Sequence, residues 1–115
     1  MSASGARSWK RAAPLFAALG DETRLSVVAR LCEEGPLSIT RLTENADVTR
    51  QAVTKHLRVL SDAGLVKGTR DGRESIYELQ PRRLGEVRRL LDLISKEWDD
   101  TLERLRAFVE ESDAD

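Results

Sequence analysis

The chain has 115 residues, room for one compact domain and hardly for two. Apolar residues make up 40% and charged residues 34%, with no apolar run near the ~18 residues a membrane span requires, which points to a soluble helical domain with a modest core that dimerisation would help. The net charge of -1 lacks the basic bias common in nucleic-acid binders, but it hides an asymmetry: residues 41–73 carry seven Lys/Arg against four Asp/Glu (+3), and residues 97–115 carry two against eight (-6).

Residues 1–7 are small and polar with no apolar stretch behind them, so they read as a loose tail and not as a signal peptide. A first helix is expected from about Ser8 to Leu19, with Trp9, Ala12, Ala13 and Phe16 at helical spacing and Gly20 ending it. Asp21 suits the N-cap of a second helix, with Glu22 in its first turn. Leu25, Val28, Leu31 and Cys32 form its stripe, and Gly35-Pro36 stops it. A single cysteine leaves no internal disulfide and suits a reducing cytoplasm, and its place on that stripe makes it a buried core thiol. A short third helix starts from Ser38, with Ile39 and Leu42 apolar and Ala46 and Val48 in the turn behind it. Thr49 caps a fourth helix that reaches about Ala63, closed by Gly64.

The hydrophobic period then changes. Leu65–Thr69 and Arg73–Leu79 read as two strands of a ribbon, with Asp71-Gly72 as a type I′ turn signal. Pro81 fits the first position of a long last helix at about 81–110, whose seam runs through Leu84, Val87, Leu91, Ile94, Trp98, Leu105 and Phe108, widened by Leu90, Leu102 and Val109. So long a seam cannot be buried within so small a domain and calls for a partner helix. Residues 8–111 are thus expected to form one domain, with 112–115 as an acidic end.

The fourth helix carries the functional signal. At about 100° per residue, Arg50, Ser61, Thr54, Arg58, Gln51, Asp62 and Lys55 share an arc of about 140°, while Val59, Ala52, Ala63, His56, Leu60, Val53 and Leu57 fill the opposite one. The first arc presents forked cations and amide donors suited to guanine and adenine edges, and Thr and Lys groups suited to bases or phosphates. A short helix, a turn and then such a helix is the helix-turn-helix arrangement, although the helix alone is equally an amphipathic surface helix. Arg70 and Arg73 at the tip of the ribbon shift the balance toward DNA, because guanidinium there suits phosphate or the minor groove; the tip alone is also read as a solubilising hairpin, but the order helix, turn, helix, wing is much rarer by chance than either part.

The stretch Ala18-Leu19-Gly20-Asp21-Glu22-Thr23-Arg24-Leu25 resembles the opening of the ArsR/SmtB family of bacterial repressors. Thr49-Arg50-Gln51-Ala52-Val53-Thr54-Lys55-His56-Leu57-Arg58-Val59-Leu60 resembles that family's recognition helix. Gly64-Leu65-Val66, Arg70-Asp71-Gly72-Arg73 and Tyr77-Glu78-Leu79 resemble its wing, and the likeness runs from about residue 12 to 110. It implies a mainly α winged helix-turn-helix fold with a β-hairpin wing, five helices in all. It also implies a homodimer built on the first and last helices, binding an imperfect palindrome in double-stranded promoter DNA, usually as a repressor. Thr49, Arg50, Gln51, Thr54, Lys55 and Arg58 are then the recognition residues and Arg70 and Arg73 the wing contacts. Trp9, Phe16, Leu91, Ile94, Trp98 and Leu105 are the dimer contacts.

Metal sensing is not expected. Where many family members carry a Cys-x-Cys pair, this chain has Ser38 and Thr40, neither a thiolate donor, and the last helix has no histidine. His56, on the packed arc, reads as structural. Trp98-Asp99, followed by Leu102 and Leu105, resembles the tail of a branch without metal sites, and Trp98 reads as dimer core and not as an effector pocket. No cofactor is called for, no effector is named by the sequence, and a membrane is not among the expected partners. One His, one Cys and no phosphate-cradling Gly-rich loop speak against an enzyme. The competing function is a winged-helix module that binds protein and not DNA. The exposed cations and amide of the fourth helix favour DNA.

Overall fold

Side-chain caps set the helix starts. In the computed structural model, which describes residues 3–44 and 46–114, the Asp21 carboxylate accepts the amide of Arg24 at 3.0 Å and begins α2 (Glu22–Glu34). Ser38 accepts the amide of Arg41 and begins α3 (Ile39–Thr43), and Thr49 accepts that of Ala52 and begins α4 (Arg50–Asp62), each at 3.1 Å. Each bond satisfies an amide that the first helical turn would otherwise leave unpaired.

The first helix, α1 (Ala3–Leu19), starts earlier than expected. Residues 3–7, read from the sequence as tail, continue it, and Pro14 lies inside the helix without ending it; residues 1 and 2 lie outside the described residues. The last helix, α5 (Pro81–Ala114), also runs past its expected end and takes in most of the acidic segment. At about 1.5 Å per residue its 34 residues span about 51 Å.

Three strands, and not two, form the sheet. The ribbon consists of β2 (Val66–Asp71) and β3 (Glu74–Leu79), paired antiparallel from Val66↔Leu79 to Asp71↔Glu74. A two-residue strand, β1 (Leu37–Ser38), lies along the other edge of β3 through Leu37↔Tyr77 and Ser38↔Ile76, giving the order β1-β3-β2. The Asp71↔Glu74 pair moves the turn one residue along from the expected Asp71-Gly72, to Gly72-Arg73, and Gly72 takes φ +64° there. Within the ribbon, Gly68 lies under Tyr77, and a Cβ there would meet the ring at 2.8 Å.

One apolar core joins these elements. Leu15 and Ala18 of α1, Val27 and Leu31 of α2, and Val53, Leu57 and Leu60 of α4 meet Leu65, Val66 and Val87 there. Leu65 is fully buried and ties the C-terminal end of α4 to the start of α5, with its amide donating to the Leu60 carbonyl (3.0 Å) and its carbonyl accepting the Gln80 amide (2.9 Å).

Two expected stripes are displaced. On α1 the buried residues are Ala12, Leu15 and Ala18, whereas Ala13 is exposed and Trp9 is half exposed. On α2 they are Val27 and Leu31, whereas Leu25 is 53% exposed and Cys32 is exposed. Cys32 is therefore not the buried core thiol the sequence suggested. The cause is the pose of α2: Val27 and Leu31 lie one turn apart and face α4, which turns positions 25 and 32 away. No helix among the described residues is long and apolar enough to cross a membrane.

Candidate nucleic-acid interface

The outer face of α4 is a continuous polar surface. Arg50, Gln51, Thr54, Lys55 and Arg58 are all exposed and together line one shallow depression. Their opposites on the helix, Val53, Leu57 and Leu60, are fully buried, so core packing fixes which side of α4 faces outward. Val59, on the edge of the packed arc, is 40% exposed. The Thr54 hydroxyl donates to the Arg50 carbonyl at 2.8 Å and keeps its lone pairs free to accept. Thr49 is exposed, with its oxygen engaged as the cap of α4. Arg50 donates from Nη1 to Thr40 Oγ1 at 3.5 Å, a link from the start of α4 to α3.

Behind this face the helix-turn-helix is held from two sides. Arg30 of α2 donates to the carbonyls of Arg41 (3.2 Å) and Leu42 (3.5 Å), the last turn of α3. Glu34 pairs with both Arg30 (3.1 Å) and Arg41 (3.8 Å). From the other side, β1 runs directly into α3, so the sheet that carries the wing also anchors the start of that helix. The sequence showed Arg30 and Glu34 four residues apart on one helix but nothing of their reach to α3.

At the wing, Arg70 and Arg73 are both exposed but not equivalent. Arg70 lies within β2, opposite Ser75, and its Nε donates to the Gly72 carbonyl at 3.4 Å, whereas Arg73 stands in the turn itself. The two guanidinium groups sit beside Asp71 and Glu74, which temper the positive charge of the tip.

His56 faces inward, half-buried, with Nδ1 3.3 Å from Nη1 of Arg24 and 3.7 Å from Oδ2 of Asp21. The Asp21 carboxyl is held below its ordinary pKa, mainly by the Arg24 amide it accepts and further by the charges of His56 and Arg24. Ser38 is buried with its oxygen spent on capping α3, and Thr40 is exposed, so neither position offers a thiolate.

A separate apolar surface lies on α5 and α1. From Leu91 to Ser112 every residue of α5 is exposed, Ile94 at 54% and Trp98 at 62%, along with Leu91 and Leu105. Trp9 of α1 joins Leu90, Leu93, Ile94 and Trp98 around an open apolar depression between the two helices. Phe16 is divided, partly buried against the core of its own chain. Leu84 and Val87, the first positions of the seam, are spent inside the domain.

With this geometry in place, the likenesses to known proteins agree with one another. Residues 19–69 match a helix-turn-helix domain family. The chain is 38% identical to an HTH-type transcriptional regulator of Mycobacterium tuberculosis, over 73% of this chain and 89% of that protein. It is 30% identical to the arsenical resistance operon repressor of Escherichia coli, over 83% of this chain and 79% of that protein. Among solved structures, an ArsR-like transcriptional regulator from Rhodococcus superposes with a TM-score of 0.72 at 35% identity, covering 87% of this chain and 93% of that one.

Proposed function

Because the chain belongs to the ArsR/SmtB family of winged helix-turn-helix transcriptional regulators, we propose that it binds a palindromic promoter site as a homodimer and represses transcription there. The observation that carries this is the outer face of α4: five polar side chains, Arg50, Gln51, Thr54, Lys55 and Arg58, are exposed side by side on a helix whose other side is locked in the core. Forked guanidinium and amide groups at that spacing suit base edges in the major groove, and the wing arginines suit the flanking backbone. Two copies joined through Trp9, Phe16, Leu91, Ile94, Trp98 and Leu105 would present two such helices to successive half-sites.

In this reading the protein works on DNA in a reducing cytoplasm and is not an enzyme. Its sole histidine is engaged by Arg24, and its sole cysteine stands exposed on α2, away from that histidine's helix. Soft-metal sensing is not part of it, since the hydroxyl donors Ser38 and Thr40 are poor ligands for zinc, cadmium or arsenite.

The test is a gel shift with DNA from the protein's own promoter region, against unrelated DNA of equal length. A retarded complex that survives an excess of unrelated competitor supports the reading. Equal affinity for both fragments, or none, overturns it.

A further inference from the structure

Where α1 ends, α2 begins and α4 passes behind them, a single side chain joins all three helices. Arg24 donates from Nε to the Ala18 carbonyl at 2.6 Å and from Nη2 to the Ala17 carbonyl at 3.5 Å, in the last turn of α1. From Nη1 it reaches His56 Nδ1 on α4 at 3.3 Å. Arginine has only donors, so the neutral ring accepts at Nδ1 and carries its proton on Nε2, whereas the protonated ring instead offers its charge to Asp21. Asp21 completes the corner: it takes the Arg24 amide at 3.0 Å, and its Oδ2 lies 3.7 Å from Nδ1, beyond hydrogen-bond range.

Among the described residues this is the polar link between α1 and α4. Their other contact is apolar, within the core that Leu15, Ala18, Val53 and Leu57 share, and packing of that kind prefers a crossing angle but leaves it a scatter of about 15–20°. A planar guanidinium fork fixed at one end by helix-terminal carbonyls and at the other by an imidazole narrows that range.

We propose that Arg24, acting through His56, is a positioning residue for DNA recognition: it holds the recognition helix at a set angle to the dimer frame and so determines which half-site spacing the dimer accepts. This rests on the reading of α4 as the recognition helix and of α1 with α5 as the frame. The lever is the N-terminal half of α4. Arg50 lies six residues, about 9 Å, from His56 along the helix, so a rotation of about 10° at that contact shifts it by about 1.5 Å. That is enough to misplace bidentate base contacts.

The experiment uses the full chain and a site that the wild type selects from random duplex DNA. The site is then rebuilt with the half-sites one or two base pairs closer or farther apart. Arg24→Lys keeps the charge and loses the fork; His56→Leu keeps the bulk and loses the acceptor; His56→Asn places an oxygen where Nδ1 stands. We expect Arg24→Lys and His56→Leu to weaken the native spacing by about tenfold, with the preference among spacings flattened and affinity for random DNA unchanged. His56→Asn should recover both affinity and preference. Melting temperature and sedimentation on the same samples separate this from unfolding or loss of the dimer. The inference is overturned if folded, dimeric Arg24→Lys and His56→Leu keep the wild-type spacing profile. It also fails if His56→Asn behaves like His56→Leu, which covers the case in which Arg24→Lys does not fold. A wild type that selects no site overturns the DNA-binding reading itself.

Discussion

Each residue on the outer side of α4 brings different hydrogen-bonding chemistry, so replacing them one at a time should give distinct results. Arg50, Gln51 and Thr54 lie in its N-terminal half, the end that enters the groove in helix-turn-helix proteins. Alanine at any one that touches a base should cost roughly 1–3 kcal/mol of operator binding, with random DNA less affected. Titration of operator and random duplexes checks this, and three variants that all bind operator like wild type would remove α4 from the groove. Asp21 makes a separate prediction about stability. Its pKa is lowered on folding, so the unfolded chain binds its proton more readily, and the carboxylate's contribution is complete above its ordinary value of 3.8. The contribution fades as pH falls through the lowered value. Asp21→Asn keeps a cap oxygen and removes the charge, so its stability deficit, measured by urea unfolding, should be present at neutral pH and shrink in acid. A deficit that stays constant or grows in acid contradicts the assignment.

The wing and the helix caps belong to the scale of elements. Arg70 is tied back to the Gly72 carbonyl and Arg73 is in the turn, so both present charge and neither has a rigid two-point fit to a base. Phosphate contact is the expected use. Arg70→Ala and Arg73→Ala should then weaken operator and random DNA alike, each lowering the slope of log affinity against log salt by about one unit at most. An unchanged slope in both would take the wing off the backbone. Thr49 is a cap first: Thr49→Ala should lower stability by about 1 kcal/mol, read by chemical denaturation, before any effect on DNA is counted. These elements were legible to different degrees. α2, α3 and α4 begin where Asp21, Ser38 and Thr49 announce them, because a cap is a bond across three residues. β1 was not legible: two residues have no period, and Leu37-Ser38 is a strand only because β3 lies beside it.

At the scale of the molecule, α5 decides the assembly. Beyond Val87 it leaves the core, and the long exposed seam from Leu91 to Val109 is more apolar surface than an isolated chain this small is expected to leave in water. A second copy covering Ile94 and Trp98 buries each residue twice across the two-fold axis, at about 1.5–3 kcal/mol or more per side chain. Ile94→Glu combined with Trp98→Glu should therefore split the dimer, and the added charge falls on a segment already rich in Asp and Glu. Operator affinity should fall by orders of magnitude with the face of α4 untouched, since one helix contacts only a few base pairs. Sedimentation and DNA titration on the same variant check this. A monomer with wild-type operator affinity refutes the dependence on the dimer, and a variant that stays dimeric puts the interface elsewhere.

The sequence by itself determined what is local. The caps, the two arcs of α4 and the existence of the hairpin all follow from bonds and periods spanning a few residues, and they carried the likeness to the family. The tertiary structure alone decided which side of α1 and of α2 is inside. On α2, positions 25, 28, 31 and 32 made one plausible stripe, yet packing against α4 buried Val27 and Leu31 and left Cys32 in water. It also decided the ribbon's register: the Val66↔Leu79 pairing at its base, with Val66 in the core, carries through to Asp71↔Glu74 and moves the turn by one residue. The bond from Arg24 to His56 crosses 32 positions of chain. No local pattern encodes such a contact, because it exists only once burying the apolar faces of α1, α2 and α4 has brought the two side chains together.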